Sequence, residues 1–197
     1  DLEWGDFMRL FIAVELEKDV ITALCSLHDE LKGRADKMRF VPSQNLHLTL
    51  FFLGNTPENK LEAISRALQS VGENNSLFKL EFNNSVETFD AKNPARVVWV
   101  GVKSDLWALQ RLQTMLAATM HNIGFLRTEK DYIPHITIAR DVHFKEKYLV
   151  EKKFANCVFE GKIPVMLVEK ITLIESCMEN GKRIYKTRDQ FDLKLTR

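Results

Sequence analysis

The sequence predicts an α+β protein, bilobal and internally duplicated, and three observations carry that expectation. Apolar segments of strand length alternate with stretches whose apolar residues recur at helical spacing. A histidine-x-threonine motif occurs twice on an apolar strand background, as "HLTL" at 47–50 and "HITI" at 135–138. Each motif is preceded by a strand and a helix at nearly the same distance: Arg9 stands 38 positions before His47, and Arg96 stands 39 before His135. Two units of such similar length point to an internal repeat, with two half-sites facing each other across a pseudo-twofold axis.

Met8 to Leu16, "MRLFIAVEL", is rich in strand formers, and Lys18 to Lys32 then places Val20, Ile21, Leu24, Leu27, His28 and Leu31 on one helical face. A short extended piece, Met38 to Val41, leads through Pro42 into the strand of His47, which Gly54 and Pro57 close. Glu58 to Val71 reads as a second helix with Leu61, Ile64, Leu68 and Val71 inward. Leu77 to Phe89 alternates as a strand or hairpin. Arg96 to Val102, "RVVWVGV", is a strand, and Asp105 to Asn122 is a helix stopped by Gly124. The strand of His135 follows. After a charged stretch with a short helix come three strands, Phe159 to Val168, Ile171 to Met178 and Ile184 to Leu195, the last two joined by a hairpin turn in "ENGKR". No low-complexity linker divides the chain, so residues 8–197 read as one bilobal domain. Residues 1–7 read as an extension without function.

Composition narrows the function classes. The 197 residues are 45% hydrophobic and 28% charged, as in a globular protein. No apolar run approaches the roughly 20 residues of a membrane span, and a cytoplasmic location is expected. Cys25, Cys157 and Cys177 show no paired spacing, which fits reduced thiols. A formal net charge of +1 excludes the broad basic field that holds long nucleic acid, so a phosphate partner has to be met locally.

The chemistry lies in the two motifs. Residues two apart in a strand share a face, so His47 points with Thr49, and His135 with Thr137, while the intervening aliphatic residues face a core. Converging, the half-sites offer two imidazoles and two hydroxyls. One neutral histidine takes a proton from water and one protonated histidine gives a proton to a leaving oxygen, tasks suited to a reference pKa of about 6.5. Hydroxyls stabilise charge on non-bridging oxygens, which makes phosphoryl transfer the natural reaction class. Of Phe51 and Phe52, alternation assigns Phe51 to the histidine's face as a stacking surface for a base, with core packing as the alternative for at least one of the two rings. Arg140 has the wrong parity for His135's face unless the strand bulges after Ile138. Lys37, Arg39, Arg127 and Lys130 lead into the two motif strands, so the duplication puts them near one rim, either as attractors of an RNA terminus or as solvated loop charges. No HExxH or paired acidic motif supports a metal site.

"MRLFIAVEL", "HLTLFFLG", "RVVWVGV", "PHITIAR" and "LIESCMENGKRIY", in this order, resemble the two-histidine phosphoesterase superfamily, in its bacterial RNA 2',3'-cyclic phosphodiesterase (LigT-like) branch. The resemblance spans nearly the whole chain from Met8. It implies two antiparallel-rich sheets lining a central cleft, with helices outside. It also implies opening of a 2',3'-cyclic phosphate on an RNA 3' end or nucleoside to a 2'-phosphomonoester, with no metal and no cofactor. By motif position, His47 is the general acid protonating the departing 3' oxygen and His135 the general base activating water. Thr49 and Thr137 hold the phosphate, and Arg140 matches a basic residue used near it. A monomer suffices for such a site. The alternatives are a phosphodiesterase or ligase of 2',5'-linked oligonucleotides on the same scaffold, and a nucleotide-binding module without turnover.

Overall fold

A computed structural model describes residues 7–89, 92–103, 106–126, 132–149, 157–158 and 161–194. In chain order its elements are β1 (Phe7–Glu15), α1 (Lys18–Arg34), β2 (Ala35–Phe40), β3 (His47–Pro57), α2 (Leu61–Glu73), β4 (Phe78–Leu80), β5 (Phe82–Thr88), β6 (Ala95–Val102), α3 (Leu106–Asn122), β7 (His135–Phe144), α4 (Glu146–Leu149), β8 (Cys157–Val158), β9 (Met166–Val168), β10 (Lys170–Glu179) and β11 (Lys182–Asp192).

Two antiparallel sheets organise these elements, one in the order β11-β10-β1-β3 and the other β2-β7-β6-β5-β8, with a small β4-β9 ribbon beside them. β1 is central and covered on both faces. Leu10, Ile12 and Val14 enter the main core, while Phe11 and Ala13 join Ile174, with Tyr185 packed on them, in a second cluster on the opposite face. Leu48 and Leu50 of β3 and Ile136 and Ile138 of β7 lie in the same main core as the helices. Each such fully buried side chain stabilises the fold by about 1.5–3 kcal/mol. The two halves therefore share one interior, which keeps their opposite faces in fixed relation.

The helices do not simply cover the sheet they emerge from. α1 leaves β1 yet packs on β2 and β7 of the other sheet, α2 packs on β10 and β11, and α3 rests against α2 and β3. α1 buries Val20, Leu24, Leu27 and Leu31 at the spacing the sequence shows. His28 is half-buried with its ring 4.0 Å from that of Phe40. β2, the short extended piece, is an edge strand of the second sheet paired with β7. The chain then crosses through a 3-10 turn, Ser43–Asn45, back to the first sheet at β3.

Several boundaries move. Phe7, assigned to a functionless extension, opens β1 and pairs with Pro57. Glu58–Lys60 forms a 3-10 turn ahead of α2. The stretch Leu77 to Phe89 is two strands in different sheets, β4 pairing with β9 and β5 with β6 and β8. The turn joining β10 and β11 has Asn180 at φ 49° and Gly181 at φ 72°, the two positive values that suit the twist of a hairpin. Asp105 and residues 159–160 of the sequence assignment lie outside the described residues.

Gly72 marks a close approach of α2 to β11: a Cβ there would lie 2.5 Å from the Asp192 carbonyl oxygen. A backbone atom cannot swing away as a side chain can, so Gly72→Ala is expected to destabilise the protein by about 1–3 kcal/mol. Urea unfolding checks this; an unchanged midpoint would mean the helix shifts at no cost.

Candidate active site

β3 and β7 both abandon strict alternation at the same point in the motif. Opposite β6, Ala139 pairs with Val98 and Thr137 with Trp99, so Ile138 is an extra residue in β7. Ile136, Ile138 and Ala139 are all buried, whereas Arg140 is exposed. The bulge thus returns Arg140 to the face of His135 and Thr137. In β3, Phe51 pairs with Ile12 and Thr49 with Ala13, leaving Leu50 as the extra residue. Here the slip has the opposite outcome for the sequence assignment. Phe51, 6% exposed, packs in the core, and the 48% exposed Phe52 takes the place beside His47 and Thr49. The stacking residue assigned from alternation is corrected from Phe51 to Phe52, and Phe52 occupies in the first half-site the position that Arg140 holds in the second.

Both imidazoles are anchored alike. Nδ1 of His47 donates to the carbonyl of Asn45 at 2.7 Å, and Nδ1 of His135 donates to that of Ile133 at 2.8 Å. A carbonyl oxygen only accepts, so Nδ1 carries the proton in each neutral ring and Nε2 carries the lone pair. In the first half-site, Nε2 of His47 accepts from the Thr49 hydroxyl at 3.0 Å. The Asn45 end is itself tied down, its side-chain Nδ2 donating to the carbonyl of Arg183 on β11 at 3.0 Å.

Each ring also sits in an aromatic frame. His47 lies 4.9 Å from Phe11 and 5.2 Å from Tyr185, and His135 lies 4.8 Å from Phe89 and 5.7 Å from Trp99, centroid to centroid. The sequence reading missed these four. For Phe11 and Trp99 a signal existed, since each stands 36 positions before its histidine. Tyr185 arrives on β11 and Phe89 in the bend just after β5, neither at a matching spacing, so only the assembled sheets reveal them.

The half-sites are tied and felt across the gap. The Tyr132 hydroxyl, just before β7, donates to the Thr49 carbonyl on β3 at 3.0 Å. Burial pushes His47 down from its ordinary value of 6.5 to about 4, against the Asn45 carbonyl, which favours the charged ring. Positive charge on His135 and Arg140 pushes it the same way as burial. His47 is therefore neutral at pH 7 while the site is empty. Beside it a small recess, open to solvent, is lined by Glu15, Asn45, Tyr185 and Thr187 among others. The Glu15 carboxylate, cross-strand from His47, accepts from Thr172, Thr187 and Gln190. Among the described residues no group of three or more His, Cys, Asp or Glu is placed to hold a metal ion, and no helix is long and apolar enough to cross a membrane. Of the predicted rim cations, Lys37 and Arg39 are exposed on β2, and Arg127 and Lys130 lie outside the described residues.

The depressed His47 pKa links stability to pH. The unfolded chain takes up this proton near the ordinary 6.5 and the folded chain only near 4. Between these values the unfolded state holds more protons, so stability is expected to fall as the pH drops through that window and to be insensitive to this group above it. Thermal unfolding of the native protein and His47→Ala from pH 7 to 4 checks this. The variant should show the shallower acid dependence.

Comparison with known proteins places this arrangement. Residues 20–176 match the family described as the 2'-5' RNA ligase superfamily. The chain is 35% identical over 133 residues to an RNA 2',3'-cyclic phosphodiesterase of Archaeoglobus fulgidus, an alignment spanning 68% of this chain and 72% of that protein. It is 31% identical over 180 residues to the protein of the same description from Thermotoga maritima, covering 91% and 92%. Its fold matches the crystal structure of E. coli LigT complexed with 3'-AMP with a TM-score of 0.75, covering 95% of this chain and 99% of that one at 24% identity. With two H-x-T strands bulged at equivalent residues and two identically anchored imidazoles, the chain belongs to the 2'-5' RNA ligase superfamily, the two-histidine phosphoesterases.

Proposed function

We propose that the protein hydrolyses the terminal 2',3'-cyclic phosphate of RNA 3' ends, or of nucleoside 2',3'-cyclic phosphates, to a 2'-phosphomonoester. The observation that carries this reading is the pair of imidazoles, each with Nδ1 locked on a carbonyl so that Nε2 is the working nitrogen. The substrate class is that of the related phosphodiesterases. Nε2 of His135 takes a proton from water as its oxygen bonds to phosphorus. The P–O3' bond breaks, and Nε2–H of His47 delivers a proton to O3'. Thr49, Thr137 and Arg140 hold the non-bridging oxygens and offset the growing charge.

His47 can act as the acid only when protonated, and in the empty site it is neutral. The bound phosphate supplies the missing condition: its negative charge favours the imidazolium and opposes the burial and the neighbouring cations that hold His47 near 4. The His47 ring is expected to titrate higher with 2'-AMP bound than without, as read by NMR. A midpoint unmoved by ligand would remove His47 from the acid role.

The deciding experiment offers adenosine 2',3'-cyclic phosphate in excess chelator and identifies the product by phosphorus NMR. 2'-AMP supports the proposal, and no turnover of this or an RNA-borne cyclic phosphate defeats it. Half-exposed rings in both half-sites, Phe52 and Phe89, favour a second reading. A 2',5'-linked diester carries a base on each side of phosphorus, and each ring suits one of them. Rates on 2',5'-linked and cyclic substrates, compared directly, decide between the readings. The protein is proposed to act as a monomer, since one chain supplies both half-sites; sedimentation tests this.

A further inference from the structure

Arg39 and Arg140 are directly opposite each other on neighbouring antiparallel strands, β2 and β7. Opposed residues project from the same face of a sheet. The next pair along, Phe40 and Ala139, faces the interior: Ala139 is fully buried and Phe40 packs on His28 of α1. Arg39 therefore shares the face of Arg140, His135 and Thr137, one strand farther out, at the edge of the sheet.

Two like charges in a cross-strand pair destabilise a sheet, and the fold adds a second unfavourable feature to keep them there. Between Lys37 and Arg39, β7 advances three residues for two of β2, and the extra length falls at Asp141–Val142. Asp141 has φ 52°, a left-handed value uncommon outside glycine. From that conformation its carboxylate accepts from Nη2 of Arg39 at 2.7 Å. The side chains of Arg39 and Asp141 are 71% and 56% exposed. An ion pair so open to water is weak enough to be exchanged for another anion. The bulge thus holds Arg39 beside Arg140 without burying it or consuming its charge.

We infer that Arg39 is a specificity-determining residue that binds the next phosphate upstream in an RNA strand whose terminal phosphate lies at Arg140, so that the site favours oligonucleotide ends over mononucleotides. This rests on the proposed phosphate position. Opposed residues on adjacent strands have Cα atoms roughly 4.5–5.5 Å apart, and two arginine side chains rooted that close can each reach one of two successive phosphates. The edge position suits the second phosphate, because among the described residues no further strand lies beyond β2, and the RNA can leave over it.

The test is equilibrium binding, which reads Arg39 whether or not the protein turns anything over. The ligands are 2'-AMP and a diribonucleotide ending in a 2'-phosphate. The protein should bind the dinucleotide more tightly. Arg39→Gln should shrink that preference about tenfold and lower the salt slope of dinucleotide binding by about one charge, and Arg39→Lys should restore part of it. Arg66→Gln, which breaks the remote Arg66–Glu62 pair on α2, is the control for net charge. No preference for the dinucleotide, equal weakening of both ligands by Arg39→Gln, or an equal effect of Arg66→Gln overturns the assignment. Absence of turnover with the preference intact defeats the proposed reaction and leaves Arg39 as the reader of the second phosphate.

Discussion

His135→Ala and His47→Ala are each expected to lower the rate of cyclic phosphate hydrolysis by roughly 10²- to 10⁴-fold, the range that a positioned acid or base contributes. The two losses should not add. Proton removal at one nitrogen and delivery at the other belong to one displacement, so the double variant should be little slower than the worse single one. Folding is separable from chemistry here, because each ring is half-buried at the cleft while the core side chains lie on the opposite face of the same strands. The variants should therefore keep native circular dichroism. His47→Ala also predicts a change in the pH profile: the limb contributed by the group held near 4 in the empty site should vanish from kcat/KM. Full activity in either single variant would end the acid–base assignment.

Arg140→Gln is expected to cost roughly 10²-fold in kcat, the effect of removing one charged donor from the oxygens on which charge develops. Arg140→Lys should recover only part of it, since a point charge does not reproduce the planar, two-pronged donor. A second readout makes the prediction specific to position. The Arg140 guanidinium is one of the charges that hold His47 down, so the His47 ring should titrate higher in Arg140→Gln than in the native protein. A surface arginine facing away from the cleft would leave both rate and titration unchanged, and that result would return Arg140 to the solvent side. The Ile138 bulge gives a related check. Removing Ile138 takes out the extra residue, so strict alternation then runs through Ala139 inward and keeps Arg140 on the face of His135 and Thr137, while a buried side chain is lost. This deletion should cost stability yet lose less activity than Arg140→Gln.

Much of this protein is legible along the chain because the relevant physics is local. Helical spacing in Lys18 to Lys32 identified the buried face of α1, Asn180-Gly181 marked the hairpin, and two H-x-T motifs marked the two half-sites. Alternation correctly placed Leu48 and Ile136 inward, with His47, Thr49, His135 and Thr137 outward. It failed two residues later in both strands. Alternation presumes an unbroken ladder, and the ladder is broken by the partner strand's register, as β1 pairs with β3 and β6 with β7.

What the sequence by itself determined is the chemical inventory and its pairing: two imidazoles and two hydroxyls, placed on strands by local alternation. The tertiary structure decided which neighbours join them. It sent Phe51 to the core, brought Phe52 and Arg140 to the face, and carried Tyr185 and Phe89 to the histidines from distant parts of the chain. It also set the low pKa of His47. These outcomes depend on hydrogen-bond register, burial and charge across strands far apart in the chain, and no periodicity within a single strand encodes them.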